Sequence, residues 1–182
     1  MVHLEVFQIR IYHLNLSQLD NKMIKLGNQN FNFQILPGKM NGKLIPIRIY
    51  INGNILGDLE YSTYMPSFLA EIKSVIKDSY YYKGDFNKDS FYEILKEAVD
   101  DVEKGYKITL EETFDDFIKR VGRNDNEVFF LWCLQDNCDS KYNRENIGKI
   151  VFTSISISDY IFASNELFKW VRKSMNLNYS IS

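Results

Sequence analysis

The stretch "DFNKDSFYEILK" places Asp85, Asn87, Asp89 and Glu93 at positions one, three, five and nine of a calcium-binding loop. Such a loop needs glycine at position six for its turn and a bidentate glutamate at position twelve; here these are Ser90 and Lys96. An ammonium would stand where the main ligand belongs, so a polar loop running into a helix cap is expected. His3 and His13 have no partner at zinc spacing. Cys133 and Cys138 in "CLQDNC" lack a second ligand pair, and buried free thiols are expected rather than a disulfide. Neither a nucleophile elbow nor an H-E-x-x-H pattern occurs. Adjacent carboxylates such as Asp100-Asp101 and Asp115-Asp116 point apart on a helix or a strand, which reads as solvated surface. No catalytic residue, cofactor-binding residue or metal ligand is assigned.

A second kind of chemistry is binding. Acids are interleaved with tyrosine: Asp58, Glu60, Tyr61 and Tyr64, then Tyr80 to Tyr82, then Asp100, Asp101, Glu103, Tyr106, Glu111, Glu112, Asp115 and Asp116. Tyrosines anchor protein interfaces, and clustered acids favour a basic partner. The candidate partner-binding residues are Asp58, Glu60, Tyr61, Tyr64, Tyr81, Asp100, Asp101, Glu111 and Glu112. The competing reading is an ordinary soluble surface with tyrosines half buried under loops. A net charge of −2 without clustered Lys and Arg argues against general nucleic-acid binding.

These residues need a scaffold, and 182 residues suffice for one core and one domain, 1–182. A hydrophobic share of 45% with 25% charged residues is ordinary for a globular chain. No apolar run reaches the roughly 18 residues of a helical membrane span. The opening "MVHLEVFQIRIYHL" has neither a basic leader nor a small-residue cleavage site, so it reads as a strand, and a cytoplasmic protein is expected.

Period-two alternation predicts strands at "EVFQIRIY", "FNFQIL" and "LIPIRIYI", with Pro46 at an edge or a strand's beginning. Asn52-Gly53 predicts a tight hairpin turn, and Gly57-Asp58 ends its return strand. Pro66 opens a helix whose apolar face is Phe68, Leu69, Ile72, Val75 and Ile76. Ser90 and Glu93 predict a capping box for a second helix, lined by Phe91, Ile94, Leu95, Ala98 and Val102 and closed by Gly105. Segment 109–121 fits helix or strand; the favoured reading is a loop or single turn to Glu112, then a hairpin with arms near 114–121 and 127–134. "KIVFTSISIS" predicts a strand. Ser158 caps a last helix, with Asp159 in its first turn and a stripe of Ile161, Ser164, Leu167, Phe168 and Val171. The expected class is α+β: a mainly antiparallel sheet of hairpins packed with about three helices.

The order of these segments, with "IRIYINGNILGDLEYSTYMPSFLAEIKSVI" followed by "FDDFIKRVGRNDNEVFFLWCL" and a final strand and helix, resembles the immunity protein 42 family. Gly53, Gly57-Asp58, Phe114-Asp115 and Phe129 to Trp132 carry the resemblance, which runs from Leu44 to Val171 and treats residues 15–30 as an insertion. It implies a small cytoplasmic antidote of a bacterial polymorphic or contact-dependent growth-inhibition toxin. Such a protein binds its cognate toxin domain stoichiometrically and has no catalytic residues or cofactor. With the acidic bias, the implied partner is a basic toxin domain, a nuclease among the candidates. The alternatives are a small enzyme or nucleotide-binding domain with a dispersed site, and a structural adaptor.

Overall fold

The computed structural model describes residues 22–101, 105–138 and 144–177. The strand expected over "EVFQIRIY", both histidines, Val102 and Glu103 lie outside the described residues, as do the side chains of Asp100 and Glu112. The chain begins with strands β1 (Ile24–Gly27), β2 (Phe31–Ile35), β3 (Leu44–Ile45), β4 (Ile47–Ile51), β5 (Asn54–Leu56) and β6 (Thr63–Tyr64). Helices α1 (Met65–Lys77) and α2 (Lys88–Asp100) follow, then β7 (Phe117–Arg123), β8 (Glu127–Leu134), β9 (Val151–Ser156) and helix α3 (Ile157–Met175). The class is α+β, as the hairpins and helices predict. Its strands form three antiparallel sheets, ordered β1-β2-β4-β5, β3-β6 and β7-β8-β9. Strand β1 lies inside the segment that the resemblance left as an insertion.

Alternation puts Phe31, Phe33 and Ile35 of β2 beside Ile51, Ile49 and Ile47 of β4, and all six are buried. Across the other face, Arg48 Nε donates to Gln34 Oε1 at 2.9 Å and Gln34 Nε2 donates to Asn32 Oδ1 at 3.2 Å. Pro46 stands just before β4, at a strand's beginning as expected. Asn52 and Gly53 take φ values of 44° and 87°, the two positive angles of a tight hairpin turn. The Asn52 amide donates to the Ser154 carbonyl at 2.6 Å, tying the hairpin tip to β9.

Strand β8 is apolar on both faces because each meets a different layer. Val128, Phe130 and Trp132 enter the main core with α1, α3 and the first sheet, where Phe31 stacks on Tyr160 at 5.3 Å. Phe129 and Leu131 face α2 instead, and Phe91 stacks on Phe129 at 4.3 Å. Stacked aromatic pairs add roughly 0.5–1.5 kcal/mol beyond their area burial, so the second, smaller cluster is what docks α2.

The helix ends depart from the sequence reading. Helix α2 starts at Lys88, capped by Asn87, whose Oδ1 accepts from Ser90 N at 2.9 Å; Ser90 is not the cap. Asn87 and Ser90 are both competent caps, and using the earlier one adds most of a turn. For the same reason Ser156, not Ser158, caps α3 by accepting from Asp159 N at 3.0 Å. Helix α2 ends at Asp100, where the Asp101 N–H donates to the Glu97 carbonyl, before Gly105 is reached. Tyr160 and Ala163 of α3 join the core, whereas Ile161 is half-buried. The first arm of the late hairpin begins at Phe117, because Phe114 closes a 3-10 turn over Glu112–Phe114.

Replacing Asn87 with Ala is therefore expected to lower stability by about 1 kcal/mol in urea unfolding, and Ser90→Ala by less. A larger loss at Ser90 than at Asn87 would contradict this cap assignment.

Candidate functional site

The β3-β6 ribbon turns one residue of each strand inward and one outward. Ile45 and Thr63, which pair, are buried; Leu44 and Tyr64, which also pair, are each 39% exposed. Tyr61, just before β6, is 52% exposed. Facing this ribbon is the segment Glu111 to Asp116, and between the two lies a slot of about 460 Å³ lined by Leu44, Tyr61, Ser62, Thr63, Tyr64, Glu111, Thr113, Asp115 and Asp116. The Thr63 and Thr113 hydroxyls share a hydrogen bond between the two walls.

The acidic wall is held from behind by three contacts. The buried Phe114 ring stacks on Phe68 of α1 at 5.7 Å. It fills space left open at Gly57, where a methyl group would overlap the ring and where φ is +85°. Lys119 of β7 donates from Nζ to the Phe114 carbonyl and pairs with Asp115 at 3.5 Å. Only 5% of the Lys119 side chain is exposed against 63% of Asp115, so the ammonium is internal while the carboxylate reaches water. Burial pulls the Lys119 ammonium down to about 8, against the opposing pull of Asp115.

The wall is also bent. Leu110 and Glu111 take φ values of 55° and 71°, consecutive left-handed positions that for non-glycine residues cost roughly 1–3 kcal/mol each. Leu110 is nonetheless sunk in the core, and the Phe114 N–H donates to the Glu111 carbonyl at 3.0 Å. The anchors on either side impose the bend that lets Glu111 line the slot.

The slot brings together Tyr61, Tyr64 and Glu111 of the sequence-derived candidates. It adds Asp115 and Asp116, read from sequence as plain surface, and also Leu44 and Thr113. For Leu44 the signal was available in its neighbour along the strand, since Ile45 inward turns Leu44 outward. Asp58 lies just upstream, with its Oδ1 accepting from Glu60 N at 2.7 Å in the turn that delivers Tyr61. Glu112 opens the 3-10 turn of the acidic wall. Asp100 and Asp101 stand elsewhere, at the end of α2. Tyr81 must be withdrawn: it is buried and donates its hydroxyl to the Lys107 carbonyl at 3.0 Å, and burial pushes that hydroxyl up to about 12. It packs as core because its neighbours Tyr80 and Tyr82 take the exposed positions of that loop.

The fold is similar to that of CdiI from Burkholderia dolosa AUO158. The TM-score to that crystal structure is 0.51 at 8% identity, and the match covers 80% of this chain and 99% of that one. No protein-family model and no curated protein matches the sequence, so the resemblance to the immunity protein 42 family narrows to a likeness of fold with this CdiI. Among the described residues no helix is long and apolar enough to cross a membrane, and no group of three or more His, Cys, Asp or Glu is placed to hold a metal ion. Asn87, a ligand position of the calcium-loop pattern, spends its oxygen on the α2 cap. Cys133 is buried and Cys138 half-buried, with no disulfide between them.

Lys119 gives the wall a pH signature. Its ammonium is lowered to about 8 when folded and titrates near 10.4 when unfolded. Between those values the unfolded chain binds more protons, so stability rises with pH there, and the gain is lost as pH falls through about 8. Urea midpoints measured from pH 7 to 10 are expected to rise less in Lys119→Met than in wild type. Equal slopes would contradict the burial of this charge. The hydroxyls of Tyr81 and Tyr160, both raised mainly by burial, oppose the trend only above their ordinary range.

Proposed function

We propose that this protein is a toxin-neutralising immunity protein that binds a cognate toxin domain one to one and blocks its activity. The observation that carries this reading is the likeness to CdiI over nearly the whole of that chain. CdiI proteins are the immunity partners of contact-dependent growth-inhibition toxins, and the family resemblance in the sequence points the same way. The proposed binding face is the slot, extended by Asp58 and Glu60 upstream of Tyr61. Its surface joins exposed tyrosine to carboxylate, which suits a partner whose contact face is basic. A nuclease domain has such a face, because it must attract phosphates before cutting them. An acidic antidote seated on it would compete electrostatically with the substrate and obstruct its entry. The cytoplasm is where such a toxin would meet nucleic acid, and we place the protein there.

The test first identifies a toxin domain in the genes flanking this one, then pairs growth rescue with binding kinetics against it. Wild type is expected to rescue cells and to bind. The charge reversal Glu111→Lys, which leaves the Asp115–Lys119 pair intact, should slow association by about threefold or more at low salt, whereas Tyr64→Ala should mainly speed dissociation. Circular dichroism should be unchanged in both. Wild type that neither rescues nor binds would sink the immunity reading.

A further inference from the structure

The two walls of the slot differ in chemistry, and together they select one kind of side chain. One wall is apolar and exposed: Leu44, Tyr61 and Tyr64 are among the large hydrophobic residues that the fold leaves in water. The facing wall carries the carboxylates of Glu111 and Asp115. A bare cation would be held from one side only, since the aromatic wall offers it no hard oxygen ligands in the required number. A slot of about 460 Å³ is also far larger than an ion, and it fits one long side chain with its flanking backbone.

A lysine would satisfy the acids, but its compact and strongly hydrated ammonium gains little from the aromatic wall. A guanidinium satisfies both. It lies flat on an aromatic face and presents N–H donors at its edge, in a fork that matches carboxylate oxygens. The slot is prepared for such a guest. Lys119 sits behind Asp115 at 3.5 Å and restrains that carboxylate from within the protein, leaving 63% of its side chain exposed.

We propose that the slot is the docking point for an arginine side chain presented by a basic segment of the protein partner. Its guanidinium lies against the Tyr64 ring, and its N–H groups donate to Glu111 and Asp115. The identity of that partner as a toxin rests on the function proposed above; the chemistry of the slot does not.

The test uses the full chain, isotopically labelled, and follows its amide resonances on titration with three small probes. These are N-acetyl-arginine amide, N-acetyl-lysine amide and N-acetyl-citrulline amide, the last having the shape of arginine without its charge. The arginine probe is expected to give saturable shifts at residues 61–65 and 111–116, and to bind about tenfold more tightly than either of the others. Tyr64→Ala and Glu111→Gln should each weaken it about three- to tenfold, whereas Tyr64→Phe should retain binding. Arginine shifts that are absent, that fall elsewhere, or that citrulline reproduces at equal strength would overturn the proposal. Because no toxin is used, failure here leaves toxin neutralisation standing. Conversely, a protein that takes arginine in the slot yet neither binds nor rescues against the neighbouring toxin would lose only the immunity reading.

Discussion

The last carbonyls of a helix have no partner within it and must find donors elsewhere. In this fold a single strand, β7, supplies them to both helices that precede it. Arg123 donates from Nε to the Val75 carbonyl at 2.7 Å and from Nη2 to the Ile76 carbonyl at 2.8 Å, closing α1. Arg120 donates from Nε to the Ala98 carbonyl at 2.7 Å, closing α2. Each cation also meets the negative end of a helix dipole. Lys119 does the same for the 3-10 turn at Phe114. Arg120 and Lys119 are nearly fully buried, and such charges are tolerable inside a protein only when hydrogen-bonded. The register of β7 is thereby fixed twice, by its ladder to β8 and by these carbonyls. A slip of one residue would exchange the sides of Lys119 and Arg120 and leave both charges, the end of α2 and the 3-10 turn at Phe114 unsatisfied.

The slot follows from that constraint. Because Lys119 holds the Phe114 carbonyl while the Phe114 ring is held between Gly57 and Phe68, the acidic segment cannot relax away from the β3-β6 ribbon. The left-handed backbone at Leu110 and Glu111 is a consequence of fixing both flanks. In the proposed docking, carboxylates already in place would lose less freedom when a cation arrives. Stability and recognition would then draw on the same residues. A substitution at Lys119 or Gly57 is expected to disturb the slot without touching a ligand.

How much of this was legible in the sequence depends on the range of the signal. Local signals read true: Asn52-Gly53 marks the hairpin, "EVFFLWCL" marks the buried strand, and the stripe through Phe68, Leu69, Ile72 and Val75 marks α1. Caps misled where competent residues crowd together, as with Asn87 and Ser90 or Ser156 and Ser158. The roles of the basic residues of β7 have no local signal, because nothing in "FIKRVGR" says that its cations reach helix carbonyls of sequence-distant elements. The slot was half legible. Acids and tyrosines drew attention by composition, but their grouping is made by tertiary structure, which brought Asp115 and Leu44 in and took Tyr81 out. The contact of Gly57 with Phe114 joins two residues that are far apart in sequence, so its role as an anchor of the acidic wall is visible only in the fold.

In the proposed function a protein partner seats on the face built on β6 and the Glu111 to Asp116 segment. Hydrogen–deuterium exchange on a complex with a toxin domain that this protein is found to bind decides the matter. The expected result is slowed exchange over residues 61–65 and 111–116 relative to the isolated protein, with the exposed side of α3 unchanged. A stable complex whose protection falls on α3 or on the outer face of the β1-β2-β4-β5 sheet, leaving both slot segments exchanging as before, would rule this face out.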